Sequence, residues 1–175
     1  MLSDQKLVND FLNTRSESSF RKLYQDKTPH LYQMALRLTS FNSFEADELV
    51  QQMWILAVRK LDSFAWKSSL KTWLTGILIN LNRDEIRKGM AKKKATSEIE
   101  LAELRPVSAS SGYDLESALS SISLGYRKVI ILHDIEGYQH KEIAALLGIS
   151  EGTSKSQLFQ ARKALRQQLT SQKQP

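Results

Sequence analysis

HKEIAALLGISEGTSKSQLFQARKAL, residues 140 to 165, is the stretch that decides how this chain is read. Ile143, Ala144 and Leu147 share one face of a short helix, Gly148 supplies a sharp turn, and Ile149 plugs the corner behind it. A second helix starts at Ser150, or at Gly152 and Thr153, with Leu158, Ala161, Leu165 and Leu169 inward at spacings of three, four and four. The small Ala144 allows the two helices to cross closely. Lys155, Gln157, Gln160, Arg162 and Lys163 point outward as donors suited to phosphate oxygens and base edges. This is the layout of a helix-turn-helix. A plain two-helix hairpin with a solvated basic face would not need small, glycine and apolar residues at these offsets.

Upstream of this unit, Leu115, Leu119 and Ile122 mark one helix, and Val129, Ile130 and Leu132 mark a second that ends near Gly137. Further back, residues 95 to 113 have few large apolar side chains, and Pro106, Ser108, Ser110, Ser111 and Gly112 discourage regular structure. They read as a linker, with a short helix possible between Ser97 and Leu104. The N-terminal part is helical throughout. Leu7, Val8, Phe11 and Leu12 mark the first helix, and Phe20, Leu23 and Tyr24 open a second from about Ser18. Pro29 is expected to kink or interrupt that second helix before Leu31, Met34, Ala35 and Leu38 resume its stripe. Ser43 is the expected cap of a long third helix, with Glu45, Asp47 and Glu48 where the helix dipole favours acids. Its Leu49, Val50, Met53, Trp54, Leu56, Ala57 and Leu61 cover more than one face, so it sits centrally or offers one side to a partner. A loop, Asp62 to Ser69, leads to a helix from about Leu70 to Lys88 whose outer face grows basic through Lys71, Arg83, Arg87 and Lys88 to Lys92, Lys93 and Lys94.

The expected fold is therefore all-α, with two small helical domains at 1–94 and 114–175 joined by a flexible linker at 95–113. Charge follows the same division. The three segments carry net +6, −2 and +2, two basic blocks around an acidic one, as expected of two polyanion-facing modules and a connector.

Several function classes drop out. The chain has no cysteine and three histidines, which removes disulfides, thiolate metal sites and cysteine nucleophiles. No H-E-x-x-H spacing occurs, so Asp47 with Glu48, or His133 and Asp134 with His140 and Glu142, are poor material for an enzyme. No catalytic residue, metal or cofactor is expected. The N-terminus lacks the layout of a secretory signal, and no apolar run is long enough for a membrane span, so a cytoplasmic location without membrane insertion is expected.

Ser150-Glu151-Gly152-Thr153-x-Lys155-Ser156-x-Leu158, continued by Ala161-Arg162 and Leu165, resembles the recognition helix of extracytoplasmic-function sigma factors, small specificity subunits of bacterial RNA polymerase. Asp134-x-Glu136-Gly137-Tyr138 and Glu142-Ile143-Ala144 resemble the same domain. Independently, Phe20-x-x-Leu23-Tyr24 resembles the family's opening helix, Ala46 to Gln52 its polymerase-binding helix, and Leu61-x-x-Phe64 with Trp73-Leu74 and Asn80 to Arg87 its promoter-reading loop and helix. The resemblance spans about residues 18 to 169. Departures include Glu48 and Gln52 where the family often has Asp and an acid, and Ser154 where it often has Val.

The resemblance implies core RNA polymerase and promoter DNA as partners, with an anti-sigma factor as a further candidate. Asp47, Glu48, Leu49, Gln51, Gln52 and Trp54 would bind the polymerase. Phe64, Ala65, Trp66, Lys67, Asn80, Arg83 and Arg87 would read the minus-ten element. Thr153, Lys155, Ser156, Gln157, Gln160 and Arg162 would read the minus-thirty-five element. Phe64 and Trp66 could stack on an unpaired base or simply cap the helix pair. The alternative is a conventional helix-turn-helix regulator, which predicts a dimer on palindromic DNA.

Overall fold

The computed structural model describes residues 3–95 and 115–171. Most of the expected linker, and the short helix considered inside it, lies outside the described residues. Eight α-helices and no strand occur among those described.

Helix α1 (Asp4–Thr14) starts where the Ser3 side chain accepts from the Lys6 amide, and it ends at Arg15, which has φ 48°. Helix α2 (Glu17–Leu38) is capped by Ser16 and runs unbroken through Pro29, so the expected interruption does not occur. Proline removes one N–H and crowds the preceding turn, but Pro29 faces solvent while Leu23, Leu31, Met34 and Ala35 anchor both halves in the core. Lys27 pairs with Asp4 and Asp26, tying α2 to α1. A turn with positive φ at Ser40 and Phe41 leads into α3 (Ser43–Lys60). Its cap is Asn42 rather than the expected Ser43: the Asn42 side chain accepts from the Glu45 amide and donates to the Glu45 carboxylate. A 3₁₀ turn (Leu61–Ser63) and a loop follow, then α4 (Leu70–Ala95). Met34, Met53 and Leu78, all fully buried, are the centre of this four-helix unit.

The second unit consists of α5 (Leu115–Ser121), α6 (Leu124–Ile130), a π-helical turn (Ile131–Ile135), α7 (His140–Leu147) and α8 (Glu151–Ser171). Gly137 and Gly148 stand at φ 76° and 68°, left-handed conformations that cost glycine little, and they place the two corners around α7. A capping box closes the start of α7, where the Glu142 side chain accepts from the Gln139 amide. Ser150 Oγ accepts from the Thr153 amide at the start of α8. Ile143, Leu158 and Ala161 fill the helix-turn-helix core.

The two units touch. α5 and α6 pack on α2, and α7 packs on α4. The buried apolar residues of both belong to one contiguous cluster.

Candidate polymerase and promoter interfaces

Helix α3 presents three of its six expected contact residues openly: Asp47, Glu48 and Gln51. Gln52 is half-buried, while Leu49 and Trp54 turn inward and are 4% and 5% exposed. So apolar a helix must bury most of its large side chains, and these two lie on its inward arc. Trp54 still edges a surface: its Nε1–H donates to Thr28 Oγ1 at 2.9 Å, and its ring meets Phe20 and Tyr24 at 5.6 and 5.5 Å. The result is a largely apolar groove of about 760 Å³ between α2 and α3, where Tyr24 and Ile55 are exposed and Asp47 and Gln51 form the rim. On the other flank of α3, Glu48 and Gln52 face a cleft of about 560 Å³ shared with Asn82 and Glu85 of α4. Phe44, 69% exposed, stands at the start of α3. Tyr24 was read as part of the stripe of α2, and Ile55 and Phe44 were not singled out from the sequence, because an apolar side chain in or beside a dense apolar stripe gives no signal of facing outward.

In the loop before α4, Phe64 lies 4.7 Å from the Trp66 ring and is stacked on Trp73 at 4.8 Å. Trp66 holds φ 54°, a left-handed conformation that is costly for a bulky residue and persists only where its surroundings enforce it. Both rings are half-buried, so the three aromatics make a cluster at the head of α4, and Ala65 and Lys67 flank it in the open. Asn80, Arg83 and Arg87 are exposed along α4, with Arg87 lying 3.5 Å from Asp84. A groove of about 710 Å³ joins Lys67, Trp73 and Asn80, but its far wall is Glu142, Ala145 and Leu146 of α7. The second unit thus stands against the face on which the sequence placed minus-ten contacts.

That contact is specific. Leu146 packs at Gly76, where an added Cβ would stand 3.5 Å from its Cδ2. The Tyr138 hydroxyl donates to Thr75 Oγ1 at 3.2 Å, with both residues buried. The Glu136 side chain, 1% exposed, lies between the His30 imidazole and the Lys71 ammonium, the latter at 3.2 Å, and Lys71 also sits 5.7 Å over the Tyr138 ring. Arg127, buried on α6, donates to Ser40 Oγ and to the Ser120 and Ile122 carbonyls. Burial first, and then the charge of Arg83, pull the Lys128 ammonium below its ordinary pKa.

On α8 the exposed expected residues are Lys155, Ser156, Gln160 and Arg162, while Thr153 and Gln157 are half-buried. At about 100° per residue, the arc opposite Ser154, Leu158 and Ala161 is centred on Ser156 and Lys163, with Phe159 and Gln160 beside it. Gln157 falls toward α6, where its Nε2 lies 4.0 Å from a Cβ built on Gly125. Phe159 is 67% exposed on the outward arc, and sequence reasoning missed it. Its position next to the donors was the available signal. Arg162 is exposed but engaged: its Nε and Nη2 donate to the Asp134 carboxylate at 3.0 and 2.6 Å.

No group of three or more metal-ligating side chains occurs among the described residues, and no described helix is long and apolar enough to cross a membrane.

The comparisons with known proteins agree with one another. A model of sigma-70 region 2 matches residues 23–91, and a model of sigma-70 region 4 matches residues 113–165. The chain is 31% identical to the ECF RNA polymerase sigma factor SigW of Bacillus subtilis, over 84% of this chain and 85% of that protein. It is 29% identical to SigM, another such factor, of Mycobacterium tuberculosis, over 84% and 75%. Among solved structures it is similar to the sigma factor RpoE in complex with the anti-sigma factor NepR from Bartonella quintana, with TM-score 0.71 and 32% identity over 86% of this chain and 96% of that one. The fold is also that of CnrH in complex with the cytosolic domain of CnrY, with TM-score 0.66 and 24% identity over 96% and 97%.

Proposed function

The chain belongs to the extracytoplasmic-function group of the sigma-70 family, and from that membership we propose how its surfaces divide the work of bringing core RNA polymerase to a promoter. It is an alternative sigma factor, a specificity subunit that binds the core enzyme and directs transcription initiation, with no chemistry of its own and a place in the cytoplasm. Residues 1–94 act as the polymerase-binding and minus-ten-reading domain, residues 114–175 as the minus-thirty-five-reading domain, and 95–113 as their connector.

The observation that carries this reading is the coexistence in one chain of α3, whose exposed Asp47 borders an apolar groove with Glu48 open on the other flank, and of a helix-turn-helix with an open recognition arc. A conventional regulator needs the second feature and would use the first only to bind a ligand or a second copy of itself. On α3, Asp47, Glu48, Gln51 and Gln52 make the polar part of the contact, and the groove at Trp54, Tyr24 and Ile55 makes the apolar part, the pattern of a polar rim around a buried anchor. On α8, Ser156, Gln160 and Lys155 supply donors to bases and phosphates, and Phe159 suits the methyl group of a thymine. At the head of α4, Phe64, Ala65, Trp66 and Lys67 receive an unpaired base, with Asn80, Arg83 and Arg87 following the strand.

The packed arrangement of the two units is a resting state in this reading. With α7 against the minus-ten face, initiation requires the units to part, and an anti-sigma factor is a suitable partner for holding them together. The direct experiment is capture of core RNA polymerase by the tagged chain, with the double variant Asp47→Lys, Glu48→Lys as control. Retained capture by the variant would overturn the assignment of α3.

A further inference from the structure

Arg162 is bound on its own side of the protein. The Asp134 carboxylate that takes its two N–H groups, at 2.6 and 3.0 Å, also has His133 Nδ1 2.7 Å from the same Oδ1 that meets Arg162 Nη2. The Arg162 hydrogen bond, outweighing burial and aided by His133, holds the Asp134 carboxyl below its ordinary range. The His133 ring stacks on that of His140, with centroids 4.7 Å apart and planes at 30°. His140 Nδ1 in turn lies 2.9 Å from Oγ of Ser154, which is fully buried on α8.

These contacts form a closed path. It leaves α8 at Arg162, crosses the π-helical turn and α7, and returns to α8 at Ser154, two helical turns away or about 12 Å. A serine hydroxyl at the centre of the α7–α8 contact contributes little apolar packing, and the polar path bridges the helices beside it. A bidentate guanidinium–carboxylate pair fixes orientation as well as distance, so the pair at the far end resists rotation of α8 about its own axis. Rotation is what would move Ser156, Phe159 and Gln160 off their bases.

We propose that Asp134 and Arg162 are positioning residues that set the angle of α8 in the major groove, and that Arg162 is not itself a DNA contact. The proposal rests on the reading of α8 as the promoter-recognition helix. It separates Arg162 from Lys155, which shares its stripe of the helix and has no such carboxylate partner among the described residues.

The test is transcription by core RNA polymerase plus the full chain from a library of upstream elements at two salt concentrations, using Arg162→Ala, Arg162→Lys, Asp134→Ala and the double alanine variant. Positioning predicts that each single variant loses about fivefold or more from the preferred sequences and broadens preference at several base pairs together. It also predicts that the double variant is no worse than either single, and that Arg162→Lys behaves like Arg162→Ala because an ammonium cannot make the bidentate pair. The salt dependence stays that of the parent. A phosphate contact predicts instead that Arg162→Lys is near normal, that Arg162→Ala lowers the salt slope by about one, and that Asp134→Ala keeps or raises activity, a pattern that overturns the proposal. Circular dichroism on each variant separates loss of fold from loss of aim, and the exchanged pair Asp134→Arg, Arg162→Asp should recover part of the activity. Failure of the parent chain to support initiation at all would instead refute the recognition role of α8.

Discussion

Replacing Glu136 by glutamine should loosen the two units from one another. The Glu136 side chain is 1% exposed and faces the His30 imidazole and the Lys71 ammonium of the first unit, which are 46% and 40% exposed. Glu136 Oε2 has no hydrogen-bond partner among the described residues, so its contact with Lys71 at 3.2 Å acts through charge; removing one partner of a buried pair costs up to about 3–5 kcal/mol, and the cost of taking the carboxylate out of water and the screening of a half-exposed partner reduce that. Glutamine keeps the shape and one acceptor while removing the charge, so both the gain and most of the burial cost are lost together. The net change is about 1–2 kcal/mol, which moves the packed-to-parted equilibrium roughly 5–30-fold. The chain has no native cysteine, so dyes can be placed specifically through Lys22→Cys and Lys163→Cys, both at exposed positions on different units. Energy transfer between them should fall in the Glu136→Gln protein, and its affinity for core polymerase should rise correspondingly. Unchanged transfer together with unchanged affinity would refute the idea that this buried carboxylate holds the units closed.

Other outcomes follow from the same geometry. Leu78→Ala, at a fully buried position on α4, should destabilise the first unit by about 2–5 kcal/mol, seen as a lower denaturant midpoint; a loss below about 1 kcal/mol would show that α4 is packed otherwise. Acid should loosen the helix-turn-helix in two stages. Burial first, and then the charges of His133, Lys155 and Arg162, hold His140 below its ordinary pKa of 6.5, so the folded state binds fewer protons there than the unfolded one; its contribution is complete above that pH and declines as pH falls below it. Asp134, also depressed, contributes above its ordinary value of 3.8 and loses that contribution as pH falls through its lower folded value. Thermal melting of the parent and of His140→Gln across pH 4 to 7.5 checks the first stage, and parallel curves below about pH 6.5 would remove His140 from the account. Gln160→Ala should relax preference at one base pair by about 1–3 kcal/mol in a promoter-library transcription assay, while Gln157→Ala, on the α6 side of α8, should change preference less; the reverse order would show that α8 enters the groove on its other flank.

The helix-turn-helix was legible because each of its signals is local. Gly148 has one use at a left-handed corner, and Leu158 and Ala161 sit where period and size require them. Local signals also misled by small amounts. Ser43 and Asn42 are both good caps, and only the turn at Ser40 and Phe41 decides for Asn42. Pro29 reads as a break until the burial of Leu23 and Met34 on either side is known. The rest depends on residues far apart in the chain. Nothing near Glu136 announces His30 or Lys71, and the donors on α8 look alike until Asp134 is seen to hold Arg162. In α3 the difficulty is excess of signal: with apolar residues on more than one face, period alone could not tell that Leu49 and Trp54 turn inward while Ile55 stays open.

This chain gives core RNA polymerase its choice of start site. The measurement that bears on this role most directly is transcription from fragmented genomic DNA by purified core enzyme with and without the chain, with sequencing of transcript 5′ ends. A discrete set of start sites should appear only with the chain, share upstream sequence at two spaced elements, and shift in the distal element when Ser156 and Gln160 are replaced by Ala. Start sites indistinguishable from those of core enzyme alone would contradict that role.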